Sequence, residues 1–521
     1  MNYIDLDKTK TFEELVKTVP FDVRNINARR IEKYTVEEAG SLKFNYACLP
    51  VDDNIIDRLQ AFSDEQELVA KYRDLLSGKV MNTGEKRLVL HHLTRGRVLE
   101  GVDVNADGVE KGKFYSDELD KIKKFSEDVR AGKIKGSTGK TFEHVVQIGI
   151  GGSDLGPRAL CYALNLLDVR KLDARFISNV DPDDAAQVAS ELDLERTLFI
   201  LVSKSGTTQE TLSNRDLVFD LMRKKGLENP EKHMVAVTSN TSPLAKTDGI
   251  LGVFFMDDYI GGRYSATSAV GGVILSLTYG FDVFRELLDG CHEEDILALD
   301  ADIRKNGALL DALIGIYMRN ILDYPYSAVL PYSQVLNRFP AHLQQLDMES
   351  NGKQVNRNGK PVSYKTGPVI FGEPGTNGQH SFYQLLHQGT DIVPMQFIGF
   401  KEKQGNLDAT TDGFSNHDRL NANLTAQIVA FACGKQNAEN PNKNFCGGRP
   451  SSVLVADRLT PFTLGALLVH FENKVMFQGF AWNINSFDQE GVQLGKILAK
   501  KVLNGCEGDE NLKAYATLLG L

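Results

Sequence analysis

From Phe142 onward the chain alternates short, β-branched runs with longer stretches of helical spacing. The runs are HVVQI (His144–Ile148), RFISNV (Arg175–Val180), LFILV (Leu198–Val202) and MVAVT (Met234–Thr238). This alternation permits few folds. Strands that alternate with helices imply βαβ units and a parallel sheet covered on both faces. After the segment SKSGTT (Ser203–Thr208), Leu217, Val218, Leu221 and Met222 recur at helical spacing as far as Gly226. A second series follows a helical stretch around Leu309–Ile321, with candidate strands SAVL (Ser327–Leu330), DIVPMQFIGF (Asp391–Phe400) and SSVLVA (Ser451–Ala456). Thr460 and Pro461 then open a helix, as cap and first helical residue. The first 110 or so residues read as mainly helical and polar. The expected fold is α/β: two sandwich domains with mainly parallel sheets, over residues 111–290 and 291–500. An N-terminal helical arm (1–110) and a C-terminal helical tail (501–521) flank them.

The 521 residues, 42% of them hydrophobic, suffice for a large core. The formal net charge of -10 argues against a sequence-independent nucleic-acid binder, which needs a basic face. Cys48, Cys161, Cys291, Cys433, Cys446 and Cys506 are far apart and form no CxxC pair, as suits reduced thiols rather than a disulfide framework or a zinc site. The N-terminal segment lacks the apolar stretch and cleavage site of a signal peptide. Residues 264–281 carry no charge, which touches the length of a membrane helix, but they are rich in Ser, Thr and Gly and read as a buried segment. The expectation is a soluble, cytoplasmic protein with no membrane and no nucleic-acid partner.

Ligands of open parallel sheets bind outside the carboxyl ends of the strands, and two loops there are chemically loaded. In GIGGSDLGPRAL (Gly149–Leu160) glycines let a ligand approach the backbone at the start of a helix. A dinucleotide site fits poorly, because Asp154 stands where the third glycine or alanine of that fingerprint belongs; the Walker A pattern fails too. A tight strand–helix turn explains this loop equally well. SKSGTT combines four hydroxyls, a lysine and a helix start. Thr207 and Glu210 are spaced for a capping box, which accounts for part of the pattern. Four hydroxyls and a cation exceed what capping needs, and a phosphate monoester satisfies them without a metal.

Three stretches carry groups able to move protons. In LQQLDMESNGK (Leu343–Lys353), Glu349 follows Met348; a carboxylate drawn away from water works as a base nearer neutrality, whereas an ordinary Glu sits on the surface. In GTNGQHSFYQLLHQG (Gly375–Gly389), His380 and His387 are spaced to share a helix face, and a packed pair is the plain explanation. In FDQEGVQLGK (Phe487–Lys496), Lys496 precedes Lys500 and Lys501, as on a solvated basic face.

Taken together, these residues resemble the glucose-6-phosphate isomerase (phosphoglucose isomerase) family. VVQIGIGGSDLGP, SNVDPDD, SKSGTTQET, DDYIGGRYSATSAVGG, QQLDMESNGK, GTNGQHSFYQLLHQGTDIVPMQF and FDQEGVQLGK look like its segments in its order, and NTGEKRLVLHHLTRGR (Asn82–Arg97) resembles the one before them. The resemblance implies two sugar-isomerase-type domains and a reversible aldose–ketose isomerisation of glucose 6-phosphate and fructose 6-phosphate. It implies that Ser203, Lys204, Ser205, Gly206, Thr207 and Thr208, with Gly152 and Ser153, hold the phosphate, and that Gln345 and Gln489 position the substrate. It further implies Glu349 as the base, Arg263 as the cation facing the anionic intermediate, and His380 and Lys496 as the groups for ring opening. Neither a cofactor nor a metal is implied. The family also implies a homodimer whose active site is shared across the interface and completed by the partner's His380. Gln493 stands where the family usually has Glu, a local change beside the retained Gln489 and Lys496.

Two rivals are weighed. A sugar-phosphate sensor would keep the SKSGTT loop without needing Glu349, His380 and Lys496 together, and would usually carry a basic DNA-binding segment, which is not found. An amidotransferring ketose-phosphate isomerase needs an N-terminal cysteine, and the first cysteine here is Cys48.

Overall fold

The computed structural model describes residues 3–521. A five-stranded sheet, all parallel, runs in the order Asp173–Ile177, His144–Ile148, Thr197–Val202, Met234–Thr238, Gly252–Phe255. Thr197–Val202 and Met234–Thr238 are buried along their whole length, as strands covered by helices on both faces must be. The strand expected over Arg175–Val180 ends at Ile177, because the N–H groups of Ser178 and Asn179 turn to Asp184 Oδ2, at 2.8 and 2.9 Å.

The second sheet has six strands, in the order Thr35–Glu37, Lys43–Cys48, Ser451–Ala456, Met395–Phe400, Tyr326–Pro331, Val369–Phe371. The last four are parallel and the first two antiparallel. The N-terminal arm therefore supplies an edge hairpin as well as helices. The strand expected from Asp391 begins only at Met395, since Pro394 has no N–H to give to a ladder.

Between and around the sheets lies a helical core. Pro461–Ala481 is buried along nearly all its length, and Thr460 caps it by accepting the N–H of Thr463 at 3.1 Å. It packs against Phe281–Leu297 closely enough that a Cβ on Gly465 would stand 2.0 Å from the carbonyl oxygen of Leu287. The uncharged stretch after Tyr264 is the wholly buried helix Ala269–Tyr279, and among the described residues no helix is long and apolar enough to cross a membrane. All six cysteines are free.

Charges in this core are paired. Arg95, fully buried, meets Asp295 at 3.2 Å and also Glu472. His470 lies between two carboxylates, with Nδ1 2.7 Å from Glu38 and Nε2 3.1 Å from Asp311, and Lys474 is 2.8 Å from Asp311. Burial opposes the imidazolium, yet Glu38 and Asp311 push the His470 pKa up to about 10. Because the folded value exceeds the ordinary 6.5, this group stabilises the fold fully below pH 6.5, and that contribution is lost as pH rises through 10. His470→Asn is expected to lower the denaturant midpoint markedly at pH 6, with the gap to wild type narrowing towards pH 10; a gap independent of pH would show that His470 is neutral in the fold.

Candidate functional site

In the first sheet the strand order reverses between His144–Ile148 and Thr197–Val202, which leaves a crevice outside their carboxyl ends. The loop after the first strand holds the 3-10 turn Gly151–Ser153. A Cβ on Gly152 would lie 2.2 Å from the carbonyl carbon of Gly262, so two loops meet here backbone to backbone. Ser265 Oγ donates to the Gly262 carbonyl at 2.7 Å and approaches that of Gly152 at 3.4 Å, while Gln147 donates to the Ser153 carbonyl at 2.7 Å. Asp154 is buried and 2.7 Å from Arg158; burial raises its pKa in spite of that partner.

The loop after the second strand is Ser203–Thr208. Ser203 Oγ accepts the N–H of Gly206 at 3.1 Å and lies 2.9 Å from Thr208 Oγ1. Ser205 Oγ accepts from the N–H and hydroxyl of Thr207, at 3.2 and 2.9 Å. The capping box expected of Thr207 and Glu210 does not form. Thr208 is the cap residue of the helix Gln209–Lys224, its side chain makes no capping bond, and the threonine hydroxyls turn to the serines instead. The N–H groups at this helix start remain for a ligand. Gly206 has φ +67°, and a Cβ there would stand 2.0 Å from Ser242 Oγ, so the turn requires glycine. Lys204 Nζ donates to the Ile260 carbonyl at 2.7 Å. Burial pushes its pKa down; Asp258 opposes and Arg87 adds to the shift.

From Ile260 three further residues lead to Arg263, in the turn Gly262–Tyr264. Its guanidinium is buried, donating from Nε to Ser350 Oγ at 2.6 Å and from Nη2 to the carbonyls of Ser486 and Asp488, at 2.5 and 2.9 Å. Nη1 lies 3.4 Å from Glu349 Oε2. Glu349 ends the π-helical turn Gln345–Glu349, which continues the α-helix Phe339–Gln344. Such turns carry one residue more than an α-turn and aim side chains that an α-helix would direct elsewhere. Glu349 Oε2 is buried without a hydrogen-bond partner, and so is Gln345 Oε1, whose amide nitrogen borders Gly151. Lys353 Nζ holds the Glu349 carbonyl at 2.8 Å and Asp488 Oδ1 at 2.7 Å, so two cations and two carboxylates balance in one cluster. Asp347, on the same turn but pointing into the core, is pushed up by burial to about 7 against the pull of Lys474.

The structure thus brings together Gly152, Ser153, the 203–208 loop, Arg263, Gln345 and Glu349. Gln489 lines a cavity with Lys204, Gly261 and Phe487. His380 and Lys496 are not in this cluster. His380 is exposed in the turn Asn377–His380, and no hydrogen bond or ion pair joins it to the cluster. It does not share a helix face with His387, which belongs to the separate helix Tyr383–Gln388 and stacks on Phe431 at 3.8 Å. Lys496 is on the helix Gln493–Leu503, none of whose residues is buried in the single chain; Gln493 is exposed at its start. Sequence reasoning missed Ser350, Lys353 and Asp488. Each lies inside a stretch already singled out, but only the fold reveals that they hold Arg263 and Glu349.

The model of the phosphoglucose isomerase family matches residues 45–517. A glucose-6-phosphate isomerase of Treponema denticola is 57% identical over 530 residues, covering 100% of both chains. One from Borreliella afzelii is 45% identical, covering 99% of this chain and 98% of its own. The crystal structure of a glucose-6-phosphate isomerase from Chlamydia trachomatis superposes with a TM-score of 0.93 at 42% identity, covering 99% of each chain.

Gly152→Ala drives a methyl group into the Gly262 peptide, and overpacking of this kind costs about 1–3 kcal/mol. The expected result is a lower Tm with unchanged far-UV circular dichroism; an unchanged Tm would show that the two loops part freely.

Proposed function

The chain belongs to the phosphoglucose isomerase family, and from that premise we propose that it interconverts glucose 6-phosphate and fructose 6-phosphate in glycolysis and gluconeogenesis. The observation that carries this reading is the pair of Glu349 and Arg263, 3.4 Å apart, beside two loops of glycines and hydroxyls. An aldose and its ketose differ by a proton moved between C2 and C1. A carboxylate on one face of the substrate, with an oxygen that accepts no hydrogen bond, can take that proton and return it. The intermediate is a cis-enediolate, and its charge needs a cation that keeps its proton, which a buried guanidinium supplies at no cost of reorganisation.

The roles follow. Ser203, Lys204, Ser205, Gly206, Thr207 and Thr208, with Gly152 and Ser153, grip the phosphate, and that binding energy, remote from the reacting carbons, orients them. Gln345 and Gln489 position the sugar. The substrates are mainly cyclic, so a proton must reach the ring oxygen and another leave the anomeric hydroxyl; His380 and Lys496 serve these steps. Both are exposed in a single chain, which supports a homodimer in which the partner's surface completes the site. Six free cysteines fit a reducing, cytoplasmic setting.

A coupled assay with chelator present tests the reaction: fructose 6-phosphate is supplied and glucose 6-phosphate followed through an added dehydrogenase, and binding without turnover would overturn the reading. Glu349→Gln is expected to keep substrate affinity while nearly abolishing exchange of the C2 proton with solvent; exchange at the wild-type rate would remove Glu349 from the mechanism. His380→Ala and Glu349→Gln proteins, each inactive, are expected to regain about a quarter of wild-type activity when unfolded and refolded together, because a mixed dimer holds one intact site. No recovery would place His380 in its own subunit's site.

A further inference from the structure

The guanidinium of Arg263 has five N–H hydrogens, and the structure engages three of them in hydrogen bonds. The Nε hydrogen goes to Ser350 Oγ at 2.6 Å, and those of Nη2 go to the carbonyls of Ser486 and Asp488. Nη1 lies 3.4 Å from Glu349 Oε2, a charge contact rather than a hydrogen bond, and presents a hydrogen to a substrate oxygen. The direction of that hydrogen is fixed by the plane of the guanidinium, and Ser350 holds one edge of the plane.

Ser350 is the residue after Glu349, and Tyr264 is the residue after Arg263. Tyr264 Oη lies 3.1 Å from the same Ser350 Oγ. The two dipeptides, Arg263–Tyr264 and Glu349–Ser350, therefore close a ring: two peptide links, one ion pair and two hydrogen bonds that converge on one hydroxyl. That hydroxyl is out of contact with water, and Tyr264 is held in place by stacking on the His91 ring, with centroids 4.7 Å apart and planes at 24°. Burial pushes the Tyr264 pKa up to about 12, so the ring stays uncharged at working pH.

We propose that Ser350 is a positioning residue: its hydroxyl, braced by Tyr264, sets the plane of Arg263 so that Nη1 meets the oxyanion of the enediolate while Glu349 moves the proton. This rests on the isomerase reading and adds a residue that does not touch the substrate. A lost plane leaves the charge of Arg263 in the site but misaims its hydrogen, so ground-state binding survives and the anionic intermediate loses its partner.

The test compares wild type, Ser350→Ala and Tyr264→Phe with two ligands. One is the hydroxamate of a five-carbon aldonic acid 5-phosphate, a planar anion shaped like the enediolate; the other is a hexitol 6-phosphate, which has the phosphate and hydroxyls without the charge. For Ser350→Ala the expected result is a fall in kcat of about ten- to a hundredfold with KM unchanged. Hydroxamate affinity should fall by the same factor, with hexitol phosphate bound as by wild type. Tyr264→Phe should show a several-fold loss confined to the hydroxamate, and the double variant should be no worse than Ser350→Ala, because both act through one hydroxyl. Should Ser350→Ala fail to fold, Tyr264→Phe carries the same comparison alone. Equal loss of both ligands, or no loss of either, would overturn the proposal. A wild-type protein without turnover would instead overturn the isomerase reading, so the two failures are distinct.

Discussion

Arg263 cannot shed its proton, and it is buried. A charge so placed is tolerable only where donors find acceptors, and the acceptors here come from two distant parts of the chain. The turn Gly262–Tyr264 presents the side chain, Ser350 meets its Nε, and the carbonyls of Ser486 and Asp488 meet one amino group. Glu349 alone supplies negative charge at close range, and it does so with a carboxylate that has other work. Removing any of these partners would leave a buried cation underpaired. The path of the chain around the site is thus dictated by the solvation of one side chain as much as by the sheets that support it.

The sheets supply the remaining constraint. A parallel sheet needs a crossover after each strand, and where the strand order reverses the crossovers diverge and leave a crevice. The first sheet has its reversal between the strands that feed Gly149 and Ser203. Both loops then start helices whose cap side chains make no capping bond, and glycine lets the Gly262 backbone approach at 152 and the Ser242 hydroxyl at 206. The second sheet contributes differently: the chain leaving Tyr326–Pro331 forms the helix whose π-turn brings Glu349 to Arg263.

How much of this was legible beforehand differs by element. The strands His144–Ile148 and Met234–Thr238 match their sequence limits because their β-branched residues are buried between covering helices and stand out from the polar stretches on either side. The hairpin strands Thr35–Glu37 and Lys43–Cys48, and the short Val369–Phe371, escaped notice: they alternate or are brief, and the hairpin joins the sheet only where Lys43–Cys48 meets Ser451–Ala456, far along the chain. Ser203–Thr208 stood out as a candidate ligand loop by its hydroxyls and lysine, whereas Gly149–Asp154 read equally well as a tight turn. The ring joining Arg263, Tyr264, Glu349 and Ser350 was not legible, since nothing local to 263 or 349 says that the two will meet. The capping box absent at Thr207 was not legible either, because the spacing to Glu210 does not tell that the hydroxyl will go to Ser205 Oγ instead.

A π-turn is an α-helix carrying one residue too many. Take one residue away between Phe339 and Met348 and the wide turn could close into regular α form, with the helix beyond it keeping its phase. The residues within the turn, Glu349 among them, would lose the placement that the extra residue gives them. The aim of this carboxylate is therefore of the kind a single codon insertion confers and a single codon deletion removes, which makes a change of length in this helix graver than most changes of residue within it.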